Sequence, residues 1–230
     1  MNINIRITGP AGLGINSTSD IITNIFSHLG YSVITDIEYE SRIKGWVNYF
    51  DIFVSESTPY LTKTCDVLLA FNLESLEKNI LALKKEWVVF CNEKIKNALK
   101  VETQTFIQEK NIQVFSLDIN DKYDNTYLLA LFSYYFSIDT QIVKECLSEI
   151  FARKWTATIE ANIKIFENAL AWVSFEKSFM AFPKNWKKKQ VSYGNKMIAT
   201  GMIDAKLEYY SAYPMTPAST VLTEIINAKK

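Results

Sequence analysis

Histidine occurs once in 230 residues, at His28, so neither a histidine-based zinc site nor a Ser-His-Asp apparatus can be assembled from this polypeptide alone. The three cysteines, Cys65, Cys91 and Cys146, are odd in number and far apart, which excludes a disulfide scaffold and any C-x-x-C metal or cluster motif. Iron–sulfur chemistry, if present, would need its cluster on a partner. Glycine (7) and proline (5) are scarce, and the only glycines after Gly45 are Gly194 and Gly201. The long middle of the chain must therefore consist of helices and strands joined by glycine-free loops, which argues against an all-β sandwich with many tight turns. Neither sign of charge dominates: 25 Lys+Arg meet 25 Asp+Glu, so no bias toward polyanions exists and no nucleic-acid partner is expected. No apolar run approaches the roughly 18 residues of a membrane span, and no basic-then-apolar leader opens the chain. No membrane partner and a cytoplasmic location are the expectations.

What is present suits an ordinary globular domain, since 48% of the residues are hydrophobic and 22% charged. Ile3 to Thr8 alternate apolar and polar, the run Gly9-Pro10-Ala11-Gly12-Leu13-Gly14 breaks the pattern, and Ile21, Ile22, Ile25, Phe26 and Leu29 then recur at helical spacing. Strand, glycine loop and helix are followed by Gly30 as a helix stop and a second strand over Tyr31 to Thr35, a β-α-β opening. Asp36 to Gly45 reads as a charged surface loop and Asn48 to Ser55 as a third strand. Strands over 66–71, 87–91 and 112–117 alternate with a helix over 73–85 and a helical interval, the signature of an α/β sheet. From Asn125 the pattern turns helical, over 127–136, 140–151 and 159–172, predicting a helical cover on a three-layer α/β domain. Residues 183–192, with Lys187-Lys188-Lys189, lack periodicity and read as a solvated linker between a first domain, 1–182, and a second, 193–230. In that second part 194–206 and 218–228 look helical and 209–213 strand-like, the start of another α/β domain that stops before it can bury a core.

Three places could carry chemistry. The loop Gly9-x-x-Gly12-x-Gly14 presents backbone N–H groups at a helix start, where the dipole favours an anion such as a phosphate. Its spacing reverses the dinucleotide fingerprint, although Asp36 imitates that fingerprint's ribose-binding acid; a free nucleotide-binding domain and a tight turn that merely packs helix on strand remain alternatives. Arg42 and Lys44 place two cations in the loop after the second strand, suited to a carboxylate or phosphate or simply to solvent. Tyr213-Pro214-Met215-Thr216-Pro217-Ala218-Ser219 sets two prolines three apart around a hydroxyl, a rigid entry to a helix in which Thr216 either caps the helix or aims at a ligand carboxylate.

Together these motifs resemble the 2-oxoacid:ferredoxin oxidoreductases, in the arrangement that fuses a gamma-type domain ahead of an alpha-type domain. Gly9 to Ile15 is similar to that family's glycine opening, and Asp36 to Asn48 to its D-x-E-Y-x-S-x-I-K-G-G-H-N loop. Gly194, Asn195, Ala199, Gly201 and Ala205 fall on its G-N-E-A-x-A-x-G-A-x-x-A-G helix, and Tyr213 to Ser219 resembles Y-P-I-T-P-x-S. The resemblance implies a subunit for CoA-dependent oxidative decarboxylation of a 2-oxoacid, with 2-oxoglutarate favoured, to acyl-CoA, carbon dioxide and reduced ferredoxin. It places thiamine diphosphate and iron–sulfur clusters on a beta-type partner, makes coenzyme A a co-substrate and ferredoxin the acceptor, and implies a hetero-oligomer that is inactive as this chain alone. Thr216 is the implied catalytic residue; Tyr213, Pro214, Arg42 and Lys44 join it in substrate binding, and Gly9, Gly12, Gly14, Gly194 and Asn195 in cofactor binding. Trp46 and Val47 replace the family's glycine and histidine, and Lys196 replaces its glutamate; these departures motivate the alternative of a non-catalytic gamma-type assembly subunit that binds partner chains.

Overall fold

A computed structural model describes residues 2–39, 47–118, 123–152, 156–173, 181–184, 187–213, 215 and 218–228. Contacts divide the chain into two compact units, Met1–Lys189 and Gln190–Lys230.

The first unit is built on six strands: β1 (Asn2–Pro10), β2 (Ser32–Tyr39), β3 (Val47–Ser55), β4 (Cys65–Ala70), β5 (Leu83–Asn92) and β6 (Gln113–Leu117), in the order β2-β3-β1-β4-β5-β6. β1, β4, β5 and β6 are parallel, while β3 runs antiparallel between β1 and β2. All six residues of β4 are buried, as a parallel strand covered on both faces requires. The helices are α1 (Ile15–His28), α2 (Leu73–Asn79), α3 (Glu93–Asn97), α4 (Val101–Glu109), α5 (Asp124–Tyr135), α6 (Thr140–Phe151) and α7 (Thr156–Trp172). Ile3, Ile5 and Ile7 of β1 share a core with Ile21, Ile25 and Phe26 of α1, Leu129 and Phe132 of α5, Leu147 of α6 and Phe166 of α7. On the opposite face Leu68, Val89 and Cys91 pack under α2, α3 and α4 through Leu76, Ile95 and Phe106, with Leu99 from the turn between α3 and α4. Helix, sheet, helix is the three-layer arrangement expected from the alternating pattern.

Three local expectations are corrected. β2 continues past Thr35 to Tyr39, because its polar end is held by the ladder to β3, with Asp36 opposite Asp51 and Tyr39 opposite Asn48, rather than by burial. The helix predicted over 73–85 stops at Asn79, passes through a 3₁₀ turn at Ile80–Ala82 and yields to β5, whose first residue Leu83 pairs with Cys65 of β4. Residues 209–213 form no strand: the second unit offers them no partner strand among the described residues, and a strand without a ladder leaves its backbone groups to water. That unit consists of α8 (Gly194–Asp204) and α9 (Ser219–Ala228), joined through Ala199, Val221 and Ile225 with Met202 and Tyr210 against them.

Candidate functional site

β1 hands the chain through α1 to β2 on one side of the sheet and one of its faces. The adjacent β4 hands it through α2 to β5 on the other side and the opposite face. Between the carboxyl ends of β1 and β4 the strand order therefore reverses, and such a point opens a crevice in a parallel sheet. The glycine loop lies there. A Cβ on Gly9 would stand 2.8 Å from Cβ of Phe71 and 3.1 Å from Cγ2 of Ile15, so only glycine lets the two strand ends and the first residue of α1 close together. Gly14 takes a left-handed conformation (φ 87°) as the residue before α1 and faces Asn125 of α5 at 3.3 Å. Gly12 is also left-handed (φ 98°), with no atom within 4 Å of where its Cβ would be, so its backbone faces open space. No side chain caps α1, which leaves its first-turn N–H groups facing this opening. The loop can thus receive an anion, while each of its three glycines also has packing or conformational work independent of any ligand.

Arg42 and Lys44 lie outside the described residues. The residues bounding their segment do not: Tyr39 pairs with Asn48, which pairs with Gly9, and Val47 pairs with Pro10. The chain therefore enters and leaves that segment beside the glycine loop. Val47 itself is buried at the start of β3, and Asn48 is buried next to Gly9 with an Oδ1 that has no hydrogen-bond partner among the described residues.

Beneath the crevice runs a buried polar chain absent from the sequence-based reading. Arg6 grips Asp51 with two bonds, Nε to Oδ1 at 2.8 Å and Nη2 to Oδ2 at 2.6 Å, and donates from Nη1 to Asn79 at 3.2 Å. Asn79 donates to the Thr8 hydroxyl at 3.0 Å, and Thr8 donates to the Asn48 carbonyl at 3.1 Å. The ring of Tyr49 lies 3.9 Å from the Arg6 guanidinium carbon. Burial pushes the Asp51 carboxyl above its ordinary value and the Arg6 contact pulls back against it; for Arg6, burial opposes the charge and the Asp51 bonds overcome that, raising the guanidinium's value. This chain ties β1, β3 and α2 together one residue from the loop. One signal for it was visible: Arg6 and Asp51 are single opposite charges in the middle of otherwise β-forming runs.

In the second unit, Asn195 donates from Nδ2 to the hydroxyl of Thr220, tying the first turn of α8 to that of α9. Ser219 N–H donates to the Met215 carbonyl at 3.1 Å and Met215 N–H to the Tyr213 carbonyl at 2.8 Å. Tyr213 is exposed, and Gly194 has open space around its Cα; Pro214 and Thr216 lie outside the described residues. The cysteines sit in β4, β5 and α6, all fully buried, and burial pushes each thiol up to about 12. Thiols so placed pack in the core. His28 is the last residue of α1, with its Nε2 3.2 Å from Glu149 of α6.

The fold of this mixed sheet is shared with oxidoreductase gamma subunits. The keto/oxoacid ferredoxin oxidoreductase gamma subunit of Geobacter sulfurreducens superposes with a TM-score of 0.59 at 18% identity, covering 74% of this chain and 96% of that one. The 2-oxoglutarate:ferredoxin oxidoreductase of Magnetococcus marinus, determined with 2-oxoglutarate, coenzyme A and succinyl-CoA bound, gives 0.81 at 24% identity, covering 99% of this chain and 41% of that one. These likenesses show the fold. The family itself follows from the sequence model for pyruvate ferredoxin/flavodoxin oxidoreductase, which matches residues 4–172: the chain belongs to this family. Among curated relatives, the 2-oxoacid:ferredoxin oxidoreductase alpha subunit of Saccharolobus solfataricus is 22% identical over 95% of this chain, and that of Aeropyrum pernix likewise 22% over 95%. The chain spans about two fifths of their length, 41% and 42%.

Proposed function

We propose that this chain is a substrate-positioning part of a 2-oxoacid:ferredoxin oxidoreductase that carries out CoA-dependent oxidative decarboxylation, with 2-oxoglutarate as the favoured acid. The observation that carries the reading is the glycine loop held open at the switch point, in a chain whose family acts on 2-oxoacids. The uncapped start of α1 and the unobstructed Gly12 backbone fit a phosphate group, such as those of coenzyme A, and Gly9 and Gly14 fix that loop. Arg42 and Lys44 add positive charge for the same anions. In the second unit Thr216, immediately ahead of α9 in sequence, holds the substrate carboxylate with its hydroxyl while Tyr213 and Pro214 wall the pocket, and Gly194 with Asn195 supports the cofactor side. Thiamine diphosphate, bound on a beta-type partner, supplies the electron sink for loss of carbon dioxide. The burial of Cys65, Cys91 and Cys146 supports a reading in which the iron–sulfur clusters are held by that partner as well, with ferredoxin as the acceptor of a cytoplasmic hetero-oligomer.

The test is Thr216→Ala in the chain complexed with its partner: turnover falls on the order of 10²-fold, the scale of losing one donor to developing charge, with the complex intact. Unchanged turnover favours a second reading, a non-catalytic assembly subunit. The burial of Val47, where the family carries a polar histidine, is the observation on that side.

A further inference from the structure

The glycine loop has a polar wall on β3. Gly9 and Asn48 stand opposite each other in the β1–β3 ladder, two residues along from Ile7 and Phe50, which also face each other. Side chains two apart on a strand share a face, and Ile7 and Phe50 lie in the core that α1 covers. The Asn48 side chain therefore stands on the α1 face of the sheet. There Ile15, the first residue of α1, has its Cγ2 only 3.1 Å from where a Cβ on Gly9 would be. Tyr49, the next residue of β3, turns to the other face and meets Arg6. Register thus puts the Asn48 amide beside the start of α1.

Asn48 is 2% exposed, and its Oδ1 accepts no hydrogen bond among the described residues, whereas its backbone carbonyl accepts the Thr8 hydroxyl at 3.1 Å. A buried acceptor without a donor opposes folding, and an apolar residue would suit this strand position without that cost. The two halves of the opening make different demands. The uncapped first turn of α1 and the unobstructed Gly12 backbone offer N–H groups to an anion. An amide oxygen only accepts, so it repels an anion and takes an N–H or O–H donor. One bare anion cannot answer both demands; a molecule that carries a donor beside its phosphate can.

We propose that Asn48 is a specificity residue of the glycine-loop site, its Oδ1 accepting a hydrogen bond from a hydroxyl or amide N–H that the ligand carries beside its phosphate. The inference rests on the reading that this loop takes a phosphate group, and it narrows that reading to organic phosphoesters as against inorganic phosphate or pyrophosphate. Coenzyme A is of this class, because hydroxyl and amide N–H groups lie close to its diphosphate and a ribose hydroxyl lies beside its remaining phosphate. Binding gives the buried oxygen the donor that the folded chain withholds from it.

Calorimetric titration of the full chain with coenzyme A and with inorganic pyrophosphate, in the unmodified protein and in Asn48→Leu, tests this. Leucine keeps the branched shape of asparagine and removes the acceptor. The variant is expected to bind coenzyme A about tenfold more weakly, the worth of one hydrogen bond, and to bind pyrophosphate as the unmodified chain does. Unchanged coenzyme A affinity, in a chain that binds both probes, overturns the role of Asn48 and leaves the phosphate loop standing. An equal loss for both probes makes Asn48 a support of the loop and overturns its role in specificity. An unmodified chain that binds neither probe overturns the phosphate reading and this inference with it. Should Asn48→Leu not fold, Asn48→Ala, which cannot overfill the position, decides by the same comparison of the two probes.

Discussion

Gly9→Ala probes the closure on which the crevice depends. The added methyl would lie 2.8 Å from the Phe71 Cβ and 3.1 Å from the Ile15 Cγ2. The first of these is not the far end of a flexible side chain. Phe71 Cβ is fixed to a backbone whose N–H donates to the Thr8 carbonyl at 3.0 Å, so relief requires β4 to move away from β1. Overpacking of this kind costs about 1–3 kcal/mol, and the smaller conformational freedom of alanine in the unfolded chain returns only about 0.4–1 kcal/mol. A net loss of about 1–2 kcal/mol follows, a fall in Tm of about 2–4 °C for each kcal/mol in a unit of this size. Urea unfolding should show a lower midpoint at unchanged slope. Gly201→Ala is the control: it sits inside α8 with no atom near its Cα substituent, and alanine there stabilises the helix by about 0.5–1 kcal/mol. A Gly9→Ala chain as stable as the unmodified one would refute the reasoning, since Phe71 and Ile15 could not then be closed on Gly9.

Two further outcomes follow from the buried groups. Asp51→Ala leaves the Arg6 guanidinium charged and unpaired in the sheet, and should cost about 3–5 kcal/mol in a denaturant titration, whereas replacing both partners together by apolar residues recovers most of that loss. The thiols, pushed up to about 12, should give no reaction with a disulfide reagent at pH 8 in the folded chain and three equivalents after unfolding; a folded chain that labels at any of Cys65, Cys91 or Cys146 would place that residue outside the core.

Much of the architecture was legible because periodicity and burial agree in it. Thr140–Phe151 carries its apolar residues at helical spacing and forms α6 over those residues, with Asp139 capping Gln141. The β1-loop-α1 opening was legible for the same reason. The strand order was not, because nothing local says that β3 inserts between β1 and β2; that depends on which edges are free once α1 has crossed. The end of β2 was missed because pairing, not side-chain pattern, holds Asp36 to Tyr39. At the site, the glycines were found by their rarity, and the geometry separates their work: Gly9 is demanded by close packing, Gly14 by its backbone angle and by Asn125, and Gly12 by its angle alone. The Arg6–Asp51 pair was passed over because charges in strands read as solvent-facing until the covering layer is known.

The central claim is tested most directly by purifying the chain with a thiamine diphosphate- and cluster-bearing partner and following CoA-dependent reduction of an electron-accepting dye over a panel of 2-oxoacids. A stable complex that reduces the dye only with both CoA and a 2-oxoacid present, fastest with 2-oxoglutarate, is the predicted result. A stable complex that reduces no dye with any 2-oxoacid would contradict the catalytic role.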